Sequence, residues 1–231
     1  MKRSIRALIF DAGNTLLRIN YAAIAEQLGL HGIRKSHEAV AQAEYRARVR
    51  LDPHLAPGSS TESRSVAGYY FRYVLEELGI TDPDTVQAVA EWRKEYNLPV
   101  GLWHIPDPEA ETALRLARDA GCVAGVISNS NGSVRSILEE TGLAVHLQFI
   151  LDSAVVGVEK PDPRIFQLGL IEARVAPGEA VYIGDLYSVD VLGARAAGME
   201  AVLLDPGGVW GARDCLVARS LAGAVRLALA R

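Results

Sequence analysis

Short apolar runs alternate with segments of helical periodicity along most of this chain, and this alternation constrains the fold more than any other feature. The runs are short and continuous, as expected of strands that are covered on both faces of a parallel sheet. Helices of about ten residues between the strands indicate an α/β fold with a doubly wound parallel sheet. The predicted strands are residues 7–10, 123–127, 148–151, 181–183 and 201–204.

One segment breaks the alternation directly after the first strand. It predicts helices only, over residues 21–28, 36–49, 65–78 and 84–96. Apolar residues at helical spacing and glycines near the predicted ends support these helices. A chain of 231 residues is long enough for a core domain that carries an insertion. We therefore predict an α/β core domain formed by residues 1–18 and 99–231, with an inserted helical cap domain formed by residues 19–98.

Charge and composition argue against several classes of partner. The formal net charge is −4 and no long basic block occurs, which argues against nucleic acid. The first apolar run is too short for a signal peptide, and none reaches the roughly 18 residues that a membrane span needs. Cys122 and Cys215 lie far apart without a CxxC neighbour, which is typical of reduced thiols. We expect a cytoplasmic protein that acts on a small molecule, in an oligomeric state that the sequence leaves open.

Polar side chains collect where the predicted strands end. They are Asp11 after the first strand, Ser128 and Asn129 after the second, Asp185 and Asp190 after the fourth, and Lys160 before a predicted helix. Ligands of open α/β sheets bind outside the carboxyl ends of the strands. We therefore expect these side chains to share one site.

These residue types suit a phosphoryl group together with a hard cation. Mg²⁺ prefers carboxylate and carbonyl oxygens. A lysine reduces the electrostatic repulsion between a phosphoryl group and a carboxylate, and a serine hydroxyl can donate to a phosphoryl oxygen. The sequence therefore predicts a magnesium site that binds a small phosphorylated substrate.

Four segments resemble the motifs of the haloacid dehalogenase (HAD) superfamily. "FDAGNTL" resembles the first motif, "VISNSNG" the second and "YIGDLYSVD" the fourth, and Lys160 matches the third. The helical insertion falls where a C1-type cap lies in that family. The resemblance implies a hydrolase with a Rossmann-like core and catalytic roles for Asp11, as nucleophile, Ser128 and Lys160. It also implies substrate binding by Ser128, Asn129 and Lys160.

The resemblance further implies a Mg²⁺ site formed by Asp11, the carbonyl of Gly13, Asp185 and Asp190. Gly13 departs from the family's phosphatases, in which this position is an aspartate that protonates the leaving oxygen. A glycine retains the carbonyl but moves no proton. General acid–base catalysis typically increases the rate about 10²–10⁴-fold. We therefore expect a weak or narrow phosphatase that favours good leaving groups and gains activity on substitution of Gly13 by Asp.

Other interpretations of the glycine at position 13 remain open. The cap could supply the missing acid through Asp52 or His54 in its polar loop. A haloacid dehalogenase needs neither a proton donor nor Mg²⁺, and a phosphonatase uses a cap lysine, for which the insertion offers Lys35 and Lys94. A non-catalytic protein that binds metal and phosphate would also tolerate the glycine.

The insertion also carries the arginine run Arg46, Arg48 and Arg50. Alternate positions do not share one face of a helix. We therefore predict a solvated helix face here and no anion-binding site.

Overall fold

The computed structural model describes residues 4–55, 64–96 and 101–231. Its strands are β1 (Ala7–Phe10), β2 (Leu17–Ile19), β3 (Trp103–Pro106), β4 (Val123–Ser128), β5 (Phe149–Asp152), β6 (Ala180–Gly184), β7 (Glu200–Leu204) and β8 (Leu216–Ala218). Six of them form a sheet in the order β5-β4-β1-β6-β7-β8, and every neighbouring pair is parallel. This topology confirms the predicted doubly wound α/β fold.

Helices cover both faces of this sheet. The α-helices of the described residues are α1 (Tyr21–Leu30), α2 (His37–Leu51), α3 (Arg64–Glu77), α4 (Pro83–Tyr96), α5 (Ala110–Asp119), α6 (Val134–Glu140), α7 (Ser153–Val156), α8 (Pro163–Ala173), α9 (Leu192–Ala196) and α10 (Leu221–Leu229). Leu8 and Phe10 of β1 pack with α5, α6 and α10. Ala7 and Ile9 pack with α8 and α9 on the other face. Successive side chains of a strand point to opposite faces, so all four residues of β1 are buried.

The helices α1–α4 form a helical segment with an apolar core of its own. Ile24, Val40, Val74 and Val89, one from each helix, are buried in this core. β2 leads into the segment and β3 leads out of it, and these two strands pair antiparallel with Leu17 opposite Pro106. The predicted boundary at residues 98 and 99 lies outside the described residues, and the division into domains stays a prediction.

Three short strands were not predicted from the sequence. β2, β3 and β8 have three or four residues each and mixed burial. They therefore lack the continuous apolar run that marks a central strand. No helix in the three described ranges combines the length and the apolar character that crossing a bilayer requires.

Two helices that flank the sheet have irregular starts. Asp107 precedes α5, which begins at Ala110, and its carboxylate accepts from the Glu109 N–H at 2.8 Å and from Arg18 Nε at 2.6 Å. A π-helical turn, Tyr187–Val191, directly precedes α9. This wide turn carries Asp190, so its geometry affects the site.

Candidate active site

The parallel register brings the predicted strand-end residues to one edge of the sheet. Phe10 lies opposite Val126 of β4 and Ile183 of β6, so Asp11 follows directly beside the ends of both neighbours. Carboxylate oxygens of Asp11, Asp185 and Asp190 all lie within 4.8 Å of one another, and all three residues are buried. The expected cluster of acids is therefore present.

Lys160 connects two of these acids. Its Nζ donates to Asp11 Oδ1 and to Asp190 Oδ1 at 2.8 Å each, and to the Tyr182 hydroxyl at 3.0 Å. Burial alone would lower the pKa of Lys160, but the charges of Asp11 and Asp190 raise it well above its ordinary value. The two carboxylates therefore stabilise the charged form of the lysine.

Asn129 positions this lysine through its backbone. Asn129 Oδ1 accepts from the Lys160 N–H at 2.8 Å, and Asn129 Nδ2 donates to the Lys160 carbonyl at 2.9 Å. Ser128 is buried beside Asn129, and its hydroxyl makes a 3.3 Å contact to the Asn129 carbonyl oxygen. Both residues line the cavity described below, as the substrate-binding prediction requires.

Asp190 braces the loop that follows β6. Its Oδ2 accepts from the N–H groups of Asp185 at 3.0 Å and Leu186 at 2.9 Å, while Oδ1 accepts from Lys160. A Cβ at Gly184 would lie only 2.4 Å from Asp190 Cγ, so this close approach requires glycine. Both oxygens of Asp190 are thus engaged within the protein.

The pKa values of the remaining two acids, Asp11 and Asp185, are raised above their ordinary range. Burial raises the pKa of Asp11 to about 6, although Lys160 opposes the shift. Burial raises the pKa of Asp185 to about 8, although the Arg48 guanidinium opposes it. The cause is that a low dielectric disfavours a charged carboxylate and that neighbouring acids repel it. A divalent cation at the cluster would counter both effects.

The prediction of a solvated face was wrong for Arg48. Its side chain is 3% exposed, and Nη1 donates to Asp185 Oδ2 at 2.9 Å. Its Nε lies 2.7 Å from Glu44 Oε1, and Glu44 also accepts from the Tyr70 hydroxyl at 2.6 Å. Arg46 and Arg50 are partly exposed and pair with Glu77, as a surface face would. A buried acid four residues before Arg48 keeps its charge compensated inside the protein.

A cavity of about 380 Å³ opens over the cluster. Its polar floor comes from the strand ends, and its apolar wall comes mainly from the helical segment. The floor includes Asp11, Gly13, Ser128, Asn129, Lys160 and Asp185. The wall includes Leu17, Leu51, Leu55, Val66, Tyr70 and Trp103.

The candidates for a replacement acid lie elsewhere. Asp52 Oδ1 accepts from the N–H and the hydroxyl of Ser188, at 2.8 Å each. His54 Nε2 is 3.0 Å from the Tyr73 hydroxyl. Neither Asp52 nor His54 belongs to the described residues that line the cavity.

A family model of haloacid dehalogenase-like hydrolases matches residues 5–198. The protein belongs to this family. Haloacid dehalogenase-like hydrolase domain-containing protein 3 of Bos taurus is 33% identical to it over 207 residues, 87% of this chain and 82% of that protein. The phosphoserine phosphatase of Thermus thermophilus is 39% identical over 140 residues, 59% of this chain and 53% of that protein. The crystal structure of 2-haloacid dehalogenase from Pseudomonas syringae has a TM-score of 0.56 at 26% identity, over 94% of this chain and 95% of that one.

Sequence reasoning missed the residues that this HAD-like hydrolase adds from its helical segment and β3. Glu44 and Arg48 are four positions apart, a spacing that predicts a helical ion pair. The ion pair between Glu44 and Arg48 could therefore have been predicted from this spacing. Nothing in the sequence indicated its burial against Asp185. Trp103 followed the predicted cap boundary, and no pattern there indicated that its indole lies over Gly13.

Proposed function

We propose that this HAD-like hydrolase is a phosphatase that acts on a small phosphorylated metabolite through an aspartyl-phosphate at Asp11. The observation that carries the proposal is the buried bridge in which Lys160 Nζ lies 2.8 Å from both Asp11 Oδ1 and Asp190 Oδ1. The bridge holds Asp11 beside a cation at the carboxyl end of β1, where a ligand of the sheet would bind. Similarity to a phosphoserine phosphatase supports the same class of reaction.

In this mechanism Asp11 attacks phosphorus with the oxygen that Lys160 does not hold. A bond forms between this oxygen and phosphorus, and the ester oxygen departs with its bonding electron pair. Water then attacks phosphorus, which releases phosphate and restores the Asp11 carboxylate. Lys160 offsets the charge that accumulates between Asp11 and the phosphoryl oxygens. The Ser128 hydroxyl, which has a long 3.3 Å contact to the Asn129 carbonyl, turns to donate to a phosphoryl oxygen.

The same carboxylates are proposed to hold Mg²⁺. Asp11, Asp185 and the carbonyl of Gly13 would bind it directly, and Asp190 through water because both of its oxygens are engaged. Buried, hard oxygen donors within 4.8 Å of one another fit this ion. When bound, Mg²⁺ would neutralise the carboxylates and the phosphoryl oxygens.

The helical segment is proposed to be a cap that covers the site and sets its specificity. Leu51, Leu55 and Tyr70 of this segment line the cavity beside the polar floor. Arg48 of α2 contacts Asp185 of the sheet loop directly. A substrate on Asp11 would therefore extend its leaving group towards the segment.

A 2-haloacid dehalogenase is the second candidate. The similarity to the Pseudomonas syringae enzyme favours it, as does Gly13, because halide leaves without a proton. The acids Asp185 and Asp190 argue against it, since without a metal they would disfavour a charged carboxylate nucleophile. The phosphonatase alternative lacks support, because Lys35 Nζ donates to the Leu78 carbonyl at 2.7 Å. Lys94 is not among the described residues that line the cavity.

The deciding experiment is a phosphate-release assay on a panel of phosphate esters that includes 4-nitrophenyl phosphate. We expect activity with Mg²⁺, loss with EDTA, recovery on adding Mg²⁺ back, and loss in Asp11→Asn. Asp119→Asn, which changes an exposed acid of α5, serves as the matched control. Halide release from 2-chloropropionate without metal would establish the dehalogenase instead. Retained Mg²⁺ binding without either product would establish a non-catalytic binding protein.

A further inference from the structure

The position of the missing acid faces an indole ring. A Cβ on Gly13 would lie 3.4 Å from Cδ1 and 3.8 Å from Nε1 of Trp103. The φ of Gly13 is not in the positive range that favours glycine. Any side chain at this position would therefore be in van der Waals contact with the Trp103 ring.

Trp103 is anchored to the same loop that carries Asp11. Its Nε1 donates to Asn14 Oδ1 at 2.9 Å, and Asn14 adopts a left-handed backbone with a φ of 53°. The Trp103 backbone pairs with Ile19 in the β2–β3 ribbon. Trp103 is thus held by its backbone and by its ring nitrogen, and its indole lies beside Gly13.

The indole forms one wall of the cavity together with Tyr70. The two ring centroids are 5.7 Å apart and the rings are tilted by 37°. The Tyr70 hydroxyl donates to buried Glu44 at 2.6 Å, which fixes the second ring. Leu17 and Leu55 extend this wall, so a leaving group on this side of the cavity meets apolar and aromatic surface, although Arg48 and Arg93 also line the cavity.

We infer that Trp103 is a specificity-determining residue that binds a planar aromatic leaving group, so that the substrate is an aryl phosphate monoester. This inference rests on the proposed phosphatase function. Two observations converge on it: the aromatic residues Trp103 and Tyr70 line the cavity and their rings are of the kind that stack with aromatic ligands, and Gly13 offers no proton to a departing alkoxide. A phenolate stacks on such a wall and leaves without a proton donor.

The reaction balances without a general acid. An Asp11 oxygen supplies the electron pair of the new P–O bond, and the electron pair of the broken ester bond stays on the phenolate. Water then bonds to phosphorus, and the P–O bond to Asp11 breaks with its electron pair returning to the carboxylate. One proton of that water remains on the released phosphate or passes to solvent, and the phenolate takes a proton from solvent after release.

The first test measures binding alone. Phenylphosphonate and methylphosphonate, which cannot be hydrolysed by this route, are titrated into the protein with Mg²⁺ by calorimetry. We expect phenylphosphonate to bind about tenfold more tightly, near the upper end of what an aromatic pair adds. Equal affinities in the wild type would overturn the inference without any variant.

The second test assigns the preference to the indole. Trp103→Leu should lose the preference for phenylphosphonate, while the affinity for methylphosphonate stays within about twofold. Trp103→Phe should restore most of the preference, because it retains a ring. Trp92→Leu is the matched control, since Trp92 packs on Tyr96 in the helical segment and is not among the described residues that line the cavity. Trp103→Met, which fills the space without a ring, replaces the Leu variant if that variant unfolds.

The third test separates this inference from the proposed function. Phenyl phosphate and acetyl phosphate both have leaving groups that need no proton, but acetate has no ring. We expect Trp103→Leu to lower kcat/KM for phenyl phosphate about tenfold more than it lowers kcat/KM for acetyl phosphate. Equal losses on both substrates would overturn the inference and leave the phosphatase intact. If neither substrate is hydrolysed, the phosphatase proposal fails, and the two phosphonate titrations still decide whether Trp103 binds an aromatic group.

Discussion

Two buried cations reach the carboxylate cluster, one from the sheet and one from the helical segment. Lys160 precedes α8 and bridges Asp11, which directly follows β1, and Asp190, which lies in the π-helical turn after β6. The helices α1–α4 supply none of these three groups.

Arg48 differs because its two carboxylate partners belong to different parts of the molecule. Glu44 is in the same helix, whereas Asp185 follows β6 of the sheet. The contact at Asp185 exists only while the helical segment lies over the cluster. The bridge at Asp11 is thus formed by groups outside the helical segment, while the segment adds a charge contact at Asp185 that a ligand there would change.

The largest expected effect is the loss of turnover in Asp11→Asn. If the sheet alone holds the reactive groups, this substitution removes the nucleophile and leaves the contact between Arg48 and Asp185 intact. We expect kcat on 4-nitrophenyl phosphate to fall at least about 10⁴-fold, as when a nucleophile is removed. Near-native activity in this variant would mean that Asp11 does not perform the reaction.

The next effect concerns the Arg48 contact. Arg48→Met leaves Glu44 and Asp185 buried without their shared cation. Breaking a buried ion pair by removing one partner costs about 3–5 kcal/mol. We expect the free energy of unfolding, measured by urea denaturation without metal, to fall by about this amount, and Mg²⁺ to restore part of it.

Arg46→Met is the matched control for that experiment. Arg46 lies two positions earlier in α2, its side chain is 42% exposed, and it pairs with Glu77 on the surface. Exposed ion pairs contribute about 0–1 kcal/mol. Equal destabilisation of the two variants would mean that the contact between Arg48 and Asp185 has no special role.

Asp185→Ala tests whether the carboxylate that contacts Arg48 also binds Mg²⁺. Its oxygen contacts Arg48 in the structure, and we propose that it also binds Mg²⁺. We expect the Mg²⁺ affinity, measured by calorimetry, to fall more than about 10²-fold, beyond the loss typical of an outer-shell partner. Asp205→Asn, a buried acid that accepts from the Val209 N–H, is the control. Unchanged affinity in Asp185→Ala would remove this residue from the metal site.

The two regions also differ in how far the sequence predicted them. Asp11, Ser128 and Asp185 follow apolar runs, and parallel strands necessarily bring such positions to one edge. The fold and the sheet half of the site were therefore predictable from local patterns. The predicted helices of the segment were also correct in type, because their apolar spacing is a local property.

The contacts between the regions were not predictable in this way. Arg48 becomes buried only because Asp185, 137 positions away, and Glu44 both compensate its charge. Trp103 reaches Gly13 through the pairing of two strands too short to be recognised. Such contacts depend on how the helical segment meets the loops of the sheet, which no local periodicity encodes.

The smallest expected effect is that of Gly13→Asp. This substitution tests whether the Trp103 ring limits the action of an acid at position 13. From sequence alone this substitution should raise activity on alkyl phosphates by up to about 10²-fold, the lower end for general acid catalysis. The structure changes that expectation, because the new Cβ would already be in contact with the Trp103 ring. The ring restricts the directions in which the carboxyl group can point, so we expect a gain well short of that factor. In the double variant with Trp103→Ala the ring is absent, and there the gain on an alkyl phosphate should approach about 10²-fold.

The measurement is kcat/KM for one alkyl and one aryl phosphate in both variants, with Mg²⁺ affinity and thermal unfolding as controls. If the single variant alone gains the full factor, the indole does not exclude an acid at this position, and the glycine needs another explanation.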